Sequence, residues 1–299
     1  MYKTLFISII TICTIFNGCA DSSDSESRAI HHPKDRLELV NLLGDESIKL
    51  GQIDTSAITD MSYLFARIPQ EKCNELFEQF LKSVDAFVIL RIEEIAAADK
   101  TYKPTDSNTE SIKAALIQQW QDNNQKCTHT AYSRQDFDGI ESWNVSNVKD
   151  MSYLFAGVKE FDENLGLWNV GKVENMKGAF MKTTFNRNIE SWDTSNVQDM
   201  SLMFADSHFN QPLNAWNVGG VKDMSFMFYK SRFNQNIESW DISHTENMSF
   251  MFARAKTFAQ SLESWGQKLN PNALTHKMFE DSYLESNNAL PKWYHEPKP

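Results

Sequence analysis

A repeat of 24 or 25 residues restricts the possible folds of this 299-residue chain more than any other feature. One copy contains Phe185, Trp192, Val197, Met200 and Phe204, and similar residues recur at these offsets in five copies between residues 137 and 265. A period of this length with fixed apolar positions is typical of stacked repeats, in which each unit buries its apolar side against its neighbours. The tryptophans that define the period are Trp143, Trp168, Trp192, Trp216, Trp240 and Trp265.

Each repeat is predicted to contain a short strand and a short helix. The residue two positions after each of the first five tryptophans is β-branched, which favours an extended backbone. An Asp or Asn, a good helix N-cap, follows seven positions after each tryptophan. Apolar residues such as Met200, Met203 and Phe204 then come at helical spacing. The sequence therefore predicts an α/β repeat solenoid, similar to leucine-rich repeats, that is stable only as an array.

The shared pattern W-[DN]-[VTI]-S-x-V-x-[DN]-M-S-x-[ML]-F resembles the BspA-like family of bacterial surface lipoproteins, which are relatives of the leucine-rich-repeat proteins. The resemblance covers residues 48–66 and 135–283, a little over half of the chain. It implies display on the cell surface and binding of a partner, often in adhesion. It brings no catalytic residue, so we expect the protein not to be an enzyme.

The N-terminus is predicted to be a lipoprotein signal. Lys3 precedes an apolar run of about a dozen residues, which is too short to span a membrane and suits a signal peptide over residues 1–18. Gly18 and Cys19 follow this run and resemble a bacterial lipobox, which makes Cys19 the predicted lipidation site. Ala20 in place of Asp resembles the signal for outer-membrane sorting. The alternative is an ordinary signal peptidase site with an incidental cysteine.

The rest of the chain divides by composition. Residues 19–33 are predicted to be a disordered tether, because they contain almost no apolar side chains. Residues 34–66 are predicted to form an N-terminal cap and a first degenerate repeat with Ile53 in the tryptophan position. Residues 67–135 have the helical periodicity of an inserted α-helical hairpin. The repeat solenoid is expected over residues 136–283, and a loose C-terminal tail over residues 284–299.

Two cysteines stand at the two ends of the predicted insertion, Cys73 and Cys127. Both ends of the insertion must return to the same edge of the stack, so these residues should lie close together. In an exported protein this proximity predicts a disulfide. Two reduced cysteines are the alternative. A metal site is not expected, because too few further ligands are near.

A column of Asp and Asn residues, one position after each tryptophan, is the candidate binding site. Two interpretations remain open: a spine that satisfies backbone groups, or a polar binding stripe. The sequence gives only weak support for a stripe that binds Ca²⁺, since each repeat offers one such group and Ca²⁺ takes six to eight oxygens. We call this column the Asx ladder; its members are Asn144, Asn169, Asp193, Asn217 and Asp241.

Charge and motifs exclude other classes of function. The net charge of −11 argues against nucleic acid as a partner, which would need a basic surface. The sequence contains no nucleophile elbow, zinc-protease motif or glycine-rich phosphate loop, so no cofactor and no metal is expected.

Two functions follow from the sequence. The leading one is a monomeric, lipid-anchored protein of the bacterial cell envelope, at the outer membrane or cell surface, that binds protein or other macromolecular partners through its repeats, as in adhesion. The alternative is a structural or assembly factor that faces the periplasm and uses the helical insertion as its contact.

Overall fold

A computed structural model describes most of the chain from residue 30 to residue 296. The predicted signal peptide, Cys19 and most of the predicted tether lie outside the described residues. Within this span, the residues left out are 76, 79, 80, 82–87, 90, 91, 93, 94 and 96–102.

The α-helices whose two ends are described lie outside the repeats. None of the helices in the described part of the chain has the length and apolar composition that a membrane span requires. Helical backbone is also described within the insertion at residues 70–75, 77, 78, 81, 88, 89, 92 and 95. The three helices are α1 (Arg36–Leu43), α2 (Asp106–Thr128) and α3 (Tyr283–Ser286), and short 3₁₀ turns occur at Leu50–Gln52, Ile140–Ser142 and Glu263–Gln267.

The prediction of a strand-plus-helix solenoid similar to leucine-rich repeats is wrong. In the described residues no repeat contains an extended strand or an α-helix, and neighbouring repeats pair through one parallel bridge each. The remaining backbone of each repeat consists of turns and of residues without regular secondary structure, with short 3₁₀ turns in two of the repeats. The bridging column runs through Asp60, Asp150, Asn175, Asp199, Asp223, Asn247 and Leu274.

The predicted helix is absent because its N–H groups are used between repeats. The N–H groups of Met200, Leu202 and Phe204 donate to carbonyls of the next repeat at 2.9–3.0 Å. The Met203 N–H closes a tight turn on the Met200 carbonyl at 3.2 Å. Leu202 has a φ of +61°, which an α-helix cannot accommodate. The helical spacing of the apolar residues therefore indicates a buried face and not a helix.

The predicted strand is absent because turns flank each tryptophan. The Trp192 N–H donates to the Ile189 carbonyl at 3.1 Å, and the Val197 N–H donates to the Thr194 carbonyl at 3.0 Å. These two turns reverse the backbone within a few residues of each other. The β-branched Thr194 is buried between them, but it has no neighbouring strand to pair with.

The recurring apolar positions form one continuous core, and the tryptophans tie successive repeats together. Trp192 is buried, and its indole N–H donates to the Leu165 carbonyl of the preceding repeat at 3.0 Å. Equivalent bonds of 3.0–3.2 Å link Trp143 to Leu50, Trp168 to Ile140, Trp216 to Ile189, Trp240 to Leu213 and Trp265 to Ile237.

The insertion leaves and rejoins the stack without interrupting it. Asp60, before the insertion, forms a bridge directly with Asp150, after it. The returning chain is held by the Ala131 N–H, which donates to the Leu64 carbonyl at 2.8 Å. In the insertion itself, Trp120 and other apolar residues of α2 pack around the buried Val88 of the preceding helical segment.

A buried arginine joins the returning chain to the N-terminal cap. The side chain of Arg134 is almost fully buried, and its guanidinium donates to the carbonyls of Leu43, Asp45 and Ile48 at 2.7–3.4 Å. Burial lowers the pKa of Arg134 from its ordinary value. These carbonyls provide the acceptors that a buried guanidinium requires.

Candidate binding surfaces on the repeat stack

The Asx ladder is exposed, and each member caps its own turn. The Oδ1 atom of each accepts the backbone N–H two residues later, at distances of 3.0–3.2 Å. Hydrogen bonds from Ser195 and Ser243 lower the pKa values of Asp193 and Asp241. This geometry supports the interpretation of the ladder as a spine that satisfies backbone groups. Within the described part of the chain, no group of three or more His, Cys, Asp or Glu side chains could hold a metal ion.

A cluster of charged side chains lies where the insertion meets the first repeats. Lys126 of α2 forms an ion pair with Asp60 at 2.6 Å. Burial opposes ionisation of Asp60, but the hydrogen bonds from Lys126 and Ser62 outweigh it and lower its pKa. The pKa of Asp150 is raised, mainly by burial. Arg36 donates to the Ser62 carbonyl at 2.6 Å, so this cluster attaches the insertion and cap to the stack.

A second column of side chains presents apolar groups to solvent. It occupies the third position after each bridging residue, and its members have left-handed backbone with φ of +48° to +61°. Gly178 occupies this position in one repeat, with a φ of +60°. We call the five partly exposed large side chains of this column the aromatic row: Tyr63, Tyr153, Leu202, Phe226 and Phe250.

The aromatic row places large residues where glycine would be unstrained. A left-handed conformation costs an L-residue roughly 1–2 kcal/mol, and it is an outlier for bulky side chains. Stacking recovers part of this cost, since the rings of Tyr63 and Tyr153 lie 4.8 Å apart and those of Phe226 and Phe250 lie 4.7 Å apart. Strained residues with exposed apolar groups are candidates for function. The sequence analysis missed this row, although its variable position in D-M-S-x-M-F is repeatedly large and apolar.

The C-terminal end of the aromatic row widens into a larger aromatic cluster. Tyr229 contacts Phe226 edge to face, with ring centres 5.7 Å apart. The His276 ring meets Phe250 in the same manner at 5.4 Å. The guanidinium carbon of Arg254 lies 5.9 Å from the centre of the Tyr229 ring, within the range of a cation–π contact. This end of the row therefore offers stacked rings with a cation beside them.

The two cysteines of the insertion are joined in the structure. Cys73 and Cys127 form a disulfide with a Cα–Cα distance of 6.0 Å, and both residues are buried. The bond ties the start of the insertion to the end of α2. It lies beside the Lys126–Asp60 ion pair, so covalent and ionic contacts hold the same junction.

These features define a protein of stacked turn-rich repeats with a helical insertion and a row of partly exposed side chains along the stack. The family model described as "Mycoplasma protein of unknown function, DUF285" matches residues 125–232 and again residues 182–293. Together the two matches cover more than half of the chain, which therefore belongs to this family. The match is consistent with the BspA-like families in general. No curated protein and no solved structure matches the chain significantly.

Proposed function

We propose that the protein is lipid-anchored at the bacterial cell surface and binds a macromolecular partner along its repeats. The observation that carries this proposal is the aromatic row. The Asx ladder is used by its own backbone turns, whereas the row exposes apolar side chains at a backbone position that disfavours them. The binding surface of the proposal is therefore the row and not the ladder.

The shape of the row favours an extended ligand. Its members follow the stacking direction over six repeats, from Tyr63 to Phe250. Repeats joined by parallel bridges are separated by about 5 Å, so the row is roughly 25 Å long. A ligand of that length, such as a protein segment or a polymer of the cell envelope, can contact several members at once and add their small contributions.

The left-handed backbone allows a clean test of the row. In the variant Phe226→Gly/Phe250→Gly, glycine relieves strain of about 1–2 kcal/mol at each position and removes ring stacking of about 0.5–1.5 kcal/mol. The fold should therefore remain intact while the binding surface is lost. The matched control is Lys230→Gly, because Lys230 is also left-handed, with a φ of +53°, but is not in the row.

Pull-down with immobilised protein is the measurement. The chain from residue 19 onward, with Cys19→Ser to prevent acylation, is incubated separately with bacterial envelope extract and with extract of host cell surfaces. Mass spectrometry identifies the retained molecules. We expect wild type and the Lys230→Gly control to retain the same partner and the double glycine variant to lose it. Equal retention by all three proteins would rule out the row as the binding surface.

The lipid anchor has a separate test. Cys19→Ser should abolish incorporation of a labelled fatty acid and release the protein from the membrane fraction, because the acyl chains would be attached at this sulfur. Equal labelling of wild type and variant would exclude acylation at this cysteine. An unlabelled wild type would favour an ordinary signal peptidase site.

The alternative, an envelope assembly factor, is favoured by one feature of the insertion. Ile112, Ala115, Leu116 and Gln119 of α2 line an open groove of about 380 Å³, which a partner helix could cover. Protease treatment of intact cells separates the two functions. Digestion from outside supports surface display, and protection supports a factor that faces the periplasm.

A further inference from the structure

One set of backbone hydrogen bonds between repeats, made by the N–H groups that follow each bridging residue, points toward the next repeat. The Phe226 N–H donates to the Ser249 carbonyl of the following repeat, and the Phe250 N–H donates to the His276 carbonyl, each at 3.0 Å. Every junction of the stack repeats this polarity. In the described residues, no further repeat follows the last one, which contains Lys277 at the position of Phe250. Its outward N–H groups at Lys277 and Asp281 donate instead to the side-chain carboxylates of Glu296 and Glu285.

A carboxylate occupies the place of the missing carbonyl. The Lys277 N–H donates to both carboxylate oxygens of Glu296, at 3.0 and 3.1 Å. His276 Nδ1 lies 3.2 Å from one of these oxygens, and the Tyr294 hydroxyl donates to the other. Left-handed backbone at Lys277, with a φ of +48°, helps to form the kind of N–H concavity that binds anions.

A slot for an indole ring lies next to this carboxylate site. The Trp293 Nε1–H donates to the Leu262 carbonyl at 2.7 Å and so continues the tryptophan bonds of the repeats. Gly266 opens the slot, because a Cβ at this position would lie 2.8–2.9 Å from the Trp293 side chain. The Tyr294 ring meets Phe279 edge to face, with centres 4.9 Å apart. Three side chains of the segment 289–296 thus contact the final repeat at three separate places: Trp293, Tyr294 and Glu296.

The segment that fills these contacts is packed incompletely along its length. A cavity of about 230 Å³ remains between it and the final repeat, lined by residues that include Leu262, Leu284, Ala289 and Pro291. The segment begins after a left-handed residue, Asn288, with a φ of +55°. Trp293, Tyr294 and Glu296 supply its aromatic and charged contacts. Its other residues also contribute, because Pro291 is buried, Leu290 packs against the core and the Lys292 N–H donates to the Glu263 carboxylate at 3.2 Å.

We propose that the final repeat is a peptide-binding site that takes an extended segment of a partner protein with adjacent aromatic residues two to three positions before a carboxylate. Residues 289–296 fill it in cis and act as a built-in competitor. The chemistry of the partner follows from the occupant: an indole for the Gly266 slot, an aromatic ring for Phe279, and an anion for the Lys277 N–H and His276. This site adjoins the C-terminal end of the aromatic row, where His276 contacts Phe250. It is tested with different variants and a different probe, so its failure would not be a failure of the proposed function.

The test uses the full chain with its own segment released by Trp293→Ala/Glu296→Gln. The probe is a fluorescein-labelled peptide, Ala289-Leu-Pro-Lys-Trp-Tyr-His-Glu296, amidated at its C-terminus so that the glutamate side chain is the only carboxylate of the peptide part. Fluorescence anisotropy should show saturable binding to the released variant. The same peptide with Gln in place of Glu should bind at least tenfold more weakly, since it loses the charge-assisted hydrogen bonds. Wild type should bind at least tenfold more weakly than the released variant, because the tethered segment competes at high effective concentration.

A further variant separates loss of the site from loss of the fold. Gly266→Ala, added to the released variant, leaves no ring for the new methyl group to meet, so the melting temperature should not change. It should nevertheless reduce binding of the native peptide at least tenfold by closing the slot. Absence of saturable binding to a folded released variant would overturn the proposal. Equal affinity for the Glu and Gln peptides, or binding unaffected by Gly266→Ala, would also overturn it.

Discussion

Truncation of a central tryptophan tests whether the indole bonds hold the stack together. Trp192 is 4% exposed, its indole N–H donates to the Leu165 carbonyl at 3.0 Å, and its ring stacks on Trp216 with centres 6.4 Å apart. The residue therefore contributes both buried apolar volume and a hydrogen bond between repeats. Two substitutions separate these contributions, because alanine removes both and phenylalanine removes mainly the bond.

The expected costs follow from the structure. Trp192→Ala leaves a cavity at a buried aromatic position and should lower the free energy of unfolding by about 3–5 kcal/mol. Trp192→Phe keeps most of the apolar volume but removes the indole bond to the Leu165 carbonyl. That carbonyl still accepts the Trp168 N–H at 3.0 Å, so the loss should be about 0.5–1.5 kcal/mol. Because each repeat is stable only through its neighbours, either loss should destabilise the adjacent repeats as well.

Urea unfolding followed by circular dichroism measures both variants against wild type. The control is Leu167→Ala, because Leu167 is 91% exposed and should change stability by less than about 0.5 kcal/mol. We expect the midpoints to decrease in the order wild type and control, Trp192→Phe, Trp192→Ala. A Trp192→Phe midpoint equal to that of wild type would refute a role for the indole bond. A Trp192→Ala midpoint equal to wild type would refute the assignment of this position to the core.

Three further predictions concern single features of the fold. Gly178→Ala should lower stability by about 1–3 kcal/mol in urea unfolding, because its φ is +60° and a Cβ would lie 2.5 Å from the Tyr153 ring. Alkylation under non-reducing conditions and mass spectrometry should find no free thiol at Cys73 or Cys127, and reduction should cost up to about 4 kcal/mol for this separation of 54 residues. Burial raises the pKa of Asp150 in the folded protein. The contribution of its protonated carboxyl to folding stability is therefore fully present below the unfolded pKa of about 3.9, and it is lost as pH rises through the folded pKa. Asp150→Asn should therefore be more stable than wild type at pH 7, and equal stability at pH 7 would contradict the argument.

The candidate site could be predicted only in part. The sequence singled out Asp193 and the other members of its ladder because a polar residue recurs beside each tryptophan. It could not show that their oxygens cap local turns. It passed over Phe226 and Phe250, although a large apolar residue recurs at their position in most repeats. Their importance depends on left-handed backbone, which only the three-dimensional structure reveals.

Periodicity alone identified which side chains are buried. Trp192, Met200, Met203 and Phe204 lie in the core because apolar residues that recur in fixed order must face the same interior, whatever backbone presents them. The pairing of Cys73 with Cys127 was predicted from their positions at the two ends of the insertion, because both ends must return to the same edge of the stack.

Only the tertiary structure decided the backbone conformation. Spacing of i, i+3 and i+4 suits a helix, but a helix needs the N–H of Phe204 to bond within its own segment. In the stack, that N–H donates to the next repeat at 3.0 Å. A neighbouring repeat supplies an acceptor that an isolated segment lacks, and local preferences of a fraction of a kcal/mol per residue cannot compete with bonds repeated at every junction. The choice between helix and turn therefore depends on contacts about 24 residues away in the sequence, beyond the range of local spacing and propensity.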